Sequence, residues 1–264
     1  MSTAMEDTLK KQKETVASSA APEDAVALEE KKKMKWLFQT RTKKSRKPTS
    51  QIKLTYYTLF WVFFIGCIMG VLLETVWCLL TSHRLENRVG LVYGPFNPVY
   101  GFGAVLMTVA LKWLSEKRDL WIFLGSMVIG GGFEYLCSLV MELSFGTVSW
   151  EYSGTPLNLD GRTNIMYSFY WGLLGLIWVK ELFPRLNALI EKIPKKLGVI
   201  LTVVLTAFMV FDMLISAMAL ERQSQRRAGI PASNAVSQFL DENYPDEFLK
   251  KIYPNMLVVD ELPE

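Results

Sequence analysis

Histidine is nearly absent: His83 is the single one in a chain of 264 residues. No HExxH and no GxSxG accompanies it, and no paired nucleophile and base can be named, so no catalytic constellation is expected. A GxxxxGK[ST] phosphate loop is missing too, which excludes an ATPase within this chain. Cysteine is scarce. Cys67, Cys78 and Cys137 all fall in apolar stretches, their number is odd, and no CxxC pair exists. They read as packing residues, with neither a disulfide framework nor a metal site expected. No cofactor is expected. A secretory signal is lacking as well, since no short apolar core with a small-residue cleavage site follows a basic start. Alternating ten-residue strands are not visible, which argues against a β-barrel.

Long hydrophobic runs are what the chain does have. Half of its residues are hydrophobic and 12% are aromatic. They gather in blocks near twenty residues, the length a helix needs to cross a hydrocarbon core of about 30 Å. Five blocks predict helices at about 54–80, 97–114, 120–143, 164–183 and 197–219. Lipid offers backbone amides no partner, so the predicted fold class is all-α, a polytopic membrane helical bundle. The expected organisation is a disordered N-terminal region with a basic juxtamembrane flank over 1–53, a membrane domain over 54–219, and a polar, acidic tail over 220–264.

Charge placement bears on orientation. Residues 31–53 hold ten Lys or Arg and no acid. A block of this kind beside a first spanning helix marks a cytoplasmic flank and attracts anionic lipid, not nucleic acid. The short connection after the second block carries Lys112, Lys117 and Arg118, and the stretch after the fourth carries Lys180, Arg185, Lys192, Lys195 and Lys196. By contrast, the loops at 81–96 and 144–163 hold only Arg84, Arg88 and Arg162. The alternation predicts a cell-membrane protein with its N-terminus cytoplasmic, both long loops outside and five crossings. Arg222, Arg226 and Arg227 conflict with it: they would favour the cytoplasm directly after a helix expected to end outside. Residues 182–197 read as a basic amphipathic surface helix, with Leu186, Leu189, Ile190 and Ile193 towards lipid.

An internal repeat of two helices is visible. Gly70 precedes Glu74 by four residues, as Gly130 precedes Glu134. Each of these helices leads to a loop with Asn, Gly and Arg (Asn87–Gly90 and Asn158–Arg162), and each loop to a helix with spaced glycines, Gly101/Gly103 and Gly172/Gly175. Two helices per unit keep the same orientation, related by an axis along the membrane normal. Small residues such as Gly66, Gly70, Gly130 and Gly172 allow close helix contact.

Charges inside such runs cost about 2.5–3.5 kcal/mol on insertion scales and should face protein or water. Glu74 and Glu134, with Arg88, Arg162 and Asn158 from the loops, form the candidate polar membrane site. Asp212 lies at similar depth. One reading is a vestibule that binds a cation, a proton or a substrate amine; the other is that each Glu pairs with a loop arginine to lock the loop in place. Glu142, close to the interface, needs no special account on this view. The first loop itself, with Asn87, Tyr93, Gly94, Pro95, Pro98, Tyr100 and Gly101, reads as ordered and folded back on the bundle. Asn97 and Pro98 suit a helix start, while Tyr93, Phe96, Tyr100 and Phe102 suit an interfacial aromatic ring.

These motifs, read in order, resemble a family of small multi-pass proteins, the Putative ABC-transporter type IV or CmpB-like family. The residues that carry the resemblance are Glu74, NRVGLVYGPFNPVYGFG, GGGFEYLCS, WEYSGTPLNLDGR and SFYWGLLG, within about 56–195. The resemblance implies a permease or transporter component whose ATPase would be a separate subunit. The alternative is a membrane scaffold or assembly factor that docks an envelope protein or lipid through its outer loops. Membrane lipid and a homo- or hetero-oligomer are the other expected partners, because five helices hardly enclose a broad pathway.

Overall fold

A computed structural model describes residues 47–259. The region expected to be disordered, most of the basic flank, and residues 260–264 lie outside the described residues.

The described part is an all-α bundle with short strand pairs only in its loops. Helix α1 runs Tyr56–Ser82, capped at its start by Thr55, whose side chain accepts from the Thr58 amide. Helix α2 is Pro98–Ala110, with Asn97 as its N-cap and Pro98 in the first turn. Helix α3 is Asp119–Phe145. Helix α4, Ile165–Ile177, passes through a π-helical turn at Trp178–Leu182 into α5, Phe183–Ile190. Helix α6 is Lys195–Arg227, and two short helices follow, α7 Ala235–Asn243 and α8 Asp246–Ile252. Strand β1 (Thr147–Val148) pairs with β4 (Leu257–Val258), and β2 (Asn158–Leu159) with β3 (Thr163–Asn164), both antiparallel.

Among the described residues α1, α3 and α6 are long and apolar enough to cross a membrane. Backbone angles at Ile177, Trp178, Leu182 and Phe183 all stay right-handed helical, so α4, the π turn and α5 form one rod from Ile165 to Ile190. Helix α2 is different. Its 13 residues rise only about 20 Å, less than the hydrocarbon thickness. After Leu111 the chain continues in tight turns, with the Leu114 amide donating to Leu111 and the Ser115 amide to Lys112, while Lys112 Nζ donates to the Ile52 carbonyl at 2.6 Å. The expected second helix therefore stops short of 114.

Two further expectations are corrected. Residues 183–190 do not form a separate surface helix. Ile190 is buried with Phe60 and Trp61 of α1, Leu186 and Ile193 pack on that cluster, and only Leu189 of the four stays exposed. The segment 220–259 is not an extended polar tail either, since α6 continues to Arg227 and a folded cap follows.

The helices pair as the repeat requires. Gly70 leaves room for the ring of Tyr100, and Gly130 for Trp171. A side chain at Gly101 would meet Cys67 and Phe63, and one at Gly172 would meet Met127 and Phe123. Gly66 sits against Ala104, and Ser126 against Gly175. Phe63, Gly66, Cys67, Gly70 and Glu74 of α1 thus stand where Phe123, Ser126, Met127, Gly130 and Glu134 stand in α3. The two hairpins α1–α2 and α3–α4 share one packing register.

At one end of the bundle lie Lys47, which pairs with Glu191, and Lys180, which pairs with Asp119. Thr49, buried there, donates to the Val179 carbonyl inside the π turn at 2.5 Å; a π turn shifts the helical hydrogen-bond ladder and leaves such carbonyls available. The opposite end carries both long loops and the cap. There Arg222 and Arg226 grip Asp241, Arg226 also grips Asp246, and Arg227 donates to the Phe145 carbonyl. Each of these arginines is bound locally, so α6 ends beside the long loops without a free basic cluster.

Candidate functional site

Both repeat glutamates lie in the loop-ward half of their helices. Glu74 accepts from the Tyr100 hydroxyl on Oε2 at 2.6 Å and meets Arg88 through Oε1 at 3.3 Å. Arg88 also holds Glu86 at 2.7 Å. The loop that delivers Arg88 is tied down by backbone bonds: the Gly90 amide donates to Phe96 and the Asn97 amide to Cys67. Asn97 Nδ2 donates to the Arg88 carbonyl at 3.2 Å while its Oδ1 caps α2. Gly94 has φ +73°, and a Cβ there would strike Phe96, so Gly94–Pro95 makes a turn open to few other residues.

Glu134 has different company. It is buried, with Tyr152 donating to Oε1 at 3.1 Å and Thr163 to Oε2 at 2.8 Å. Arg162, the expected partner, binds Glu142 at 2.5 Å instead, donates to Ser138 at 3.4 Å and lies over the Tyr135 ring. Glu142 therefore has a specific partner, contrary to the expectation that it needed none. Burial, then the charge of Glu134 and the neighbouring phenols of Tyr167 and Tyr100, pushes Tyr152 well above the ordinary tyrosine value. Tyr152 and Tyr100 thus each donate to the glutamate of one repeat, Glu134 and Glu74, and the four residues are taken together as one polar node.

The remaining candidates have structural partners. Asn158 Nδ2 donates to the Ser153 and Thr155 carbonyls, and its Oδ1 accepts from the Gly161 amide, so it organises the second loop. Asn87 exchanges bonds with Lys251 and Asn255 of the cap. The Tyr93 hydroxyl pairs with that of Tyr244 at 2.7 Å. Pro98 and Gly101 belong to the α1–α2 contact. The aromatic ring expected at the interface is only partly there: Phe96 is buried against Phe64 and Phe208, and Tyr100 turns to Glu74.

Three residues missed as site members are Tyr152, Thr163 and Ser216. Tyr152 and Thr163 sit in a loop whose path no periodicity reveals. Ser216, one helical turn from Asp212, could have been suspected from that spacing.

The sequence family described as Putative ABC-transporter type IV matches residues 61–217, and the chain belongs to that family. No curated protein and no solved structure matches it. The class defined by fold and family is a helical membrane protein of this Putative ABC-transporter type IV family; the match begins early in α1, takes in both repeats and the polar node, and stops within α6, before the cap.

Proposed function

We propose that the protein is the membrane-embedded permease component of a transport system, with the Glu74–Glu134 node as its polar site and a separate chain as its ATPase. One observation carries the reading. Glu134 is buried in a spanning helix with two hydroxyl donors and no cationic partner among the described residues, which leaves its charge free for a proton, a cation or a substrate amine. Family membership supports the transport class. The basic end would face the cytoplasm of a cell-membrane protein, and the turn at 111–118 together with α5 would present the coupling surface there.

The test is purification of the tagged full-length protein from its own membranes in mild detergent, with partners identified by mass spectrometry. A near-stoichiometric ATPase, released by substitutions in 111–118 or α5, is the expected result. Repeated recovery of an intact protein without one would remove the ATP-coupled reading.

A second reading, a scaffold for another envelope protein, draws on the cap. Ile230, Val236 and Phe239 are all about half exposed there, on a part of the chain outside the family match. It expects defects from changes at Tyr93, Pro95 or Trp150, with both node glutamates dispensable.

A further inference from the structure

A proline stands inside the rod formed by α4, the π turn and α5. Pro184 is the second residue of α5 and is buried, and the residues just before it stay right-handed helical. A proline within a helix has no N–H to give, and its ring crowds the carbonyl four residues back. The bonding pattern around it is shifted. The Phe183 amide donates to the Trp178 carbonyl, five residues back, and not to Val179. In the same pattern the donor for Val179 would be residue 184, which is the proline. The Val179 carbonyl is therefore left without a donor from its own helix.

Val179 is buried, so this carbonyl needs a partner from elsewhere. It has one in Thr49, whose Oγ1 donates to it at 2.5 Å. Thr49 is itself buried and belongs to a short strap, residues 47–54, that lies ahead of α1 and forms one 3-10 turn. A second tie runs from Lys112 Nζ to the Ile52 carbonyl at 2.6 Å. The Ile52 side chain is buried with Val62 of α1 and Phe183 of α5, and Ala104 of α2 and Trp178 of the π turn pack against them. Ile52 thus fills a junction between the first hairpin and the rod that continues the second. Lys47 adds an exposed pair with Glu191, which contributes little by itself.

We propose that the notch made by Pro184 is a docking site for this strap, and that the Thr49 hydroxyl is the key contact of a clamp fastening the two repeats together at the basic end. Thr49 and Ile52 lie in one turn, so undocking releases the Val179 bond, the Ile52 plug and the Lys112 tie together. It also frees α5 from the turn at 111–118. Those two segments are the coupling surface of the permease reading, and on that reading the basic end opens only with the strap undocked. The clamp itself does not depend on that reading.

Hydrogen exchange of the full chain in lipid nanodiscs tests the clamp. Thr49→Val keeps the shape and removes the donor. It should speed exchange about tenfold in both 49–54 and 178–187, as expected for one lost buried hydrogen bond, and leave 130–142 unchanged. Thr49→Ser keeps the donor and should stay near wild type. Pro184→Ala restores an amide at that position, which gives the Val179 carbonyl a helical donor again. In that background Thr49→Val should have little effect, a coupling that a double-mutant cycle reads out. If Thr49→Val fails to fold, Lys112→Met removes only the second tie and should loosen the same two segments together. Unchanged exchange in Thr49→Val overturns the proposal, as does equal acceleration in Thr49→Ser or in the Pro184→Ala background. So does a Lys112→Met variant that loosens 49–54 alone. Absence of an ATPase partner would leave all of these outcomes as they are.

Discussion

Gly130 and Gly132 show how much a single position depends on what faces it. Both lie in α3, two residues apart, and composition treats them alike. A Cβ at Gly130 would run into the ring of Trp171, whereas one at Gly132 meets nothing within 4 Å. Gly130→Ala should lose about 1–3 kcal/mol, the usual range for overpacking. Gly132→Ala should be neutral or gain up to about 1 kcal/mol from helix propensity. Thermal melts of both variants in one detergent check this, and Gly70→Ala should match Gly130→Ala, because Tyr100 stands where Trp171 stands. Arginine pairing was less legible. The repeat places Arg88 and Arg162 in corresponding loops and Glu74 and Glu134 in corresponding helices, which suggested equivalent pairs. Arg88 does meet Glu74, yet Arg162 goes to Glu142. The two loops take different paths, and an ion pair needs its atoms within a few ångströms.

At the scale of elements the cap is the least expected part. Its sequence has no apolar run of spanning length, and it read as a polar tail. The structure folds it through a capping box at Asn234–Ser237, a buried cluster of Val92, Ile215, Ala219, Leu240, Tyr244 and Leu249, and the β1–β4 pairing. Arg222 and Arg226 hold Asp241 down at a pKa of about 2, from an ordinary 3.8. A lowered carboxyl value means that this contribution is whole above 3.8 and is lost as the pH falls towards 2. Limited proteolysis with an acid-active protease should show cleavage within 228–259 rising over that interval, and Asp241→Asn should give the same cleavage at neutral pH. The π turn was equally hidden, because nothing in WVKEL announces an extra residue in a helical turn.

For the whole molecule, the outward faces decide the environment. Val199, Ile200, Val203, Val204, Phe211 and Leu214 of α6 are all more than half exposed on the chain itself. In water each such side chain would forgo roughly 1.5–3 kcal/mol of burial, so this face belongs in lipid. Orientation follows from charge: the end with Lys180, Lys192 and Lys195 should be cytoplasmic, and the end with both loops and the cap should be external. A membrane-impermeant maleimide on intact cells should label Leu157→Cys at once and Lys192→Cys only after permeabilisation. The reverse pattern would invert the assignment and move the proposed coupling surface to the far side.

The amino-acid sequence by itself determined the helical membrane class, the approximate helix positions and the repeat. Burial in lipid depends on run length and composition, and close helix contact on small residues at fixed spacing, and both are written along the chain. Tertiary structure decided the rest: which carboxylate each arginine meets, that α2 ends at Ala110, that α4 continues through a π turn into α5, and that the last segment folds onto the first loop. The last of these rests on atoms brought within hydrogen-bonding distance from parts of the chain more than a hundred residues apart, such as Tyr93 with Asp212 and Tyr244. Local pattern carries no record of such distances.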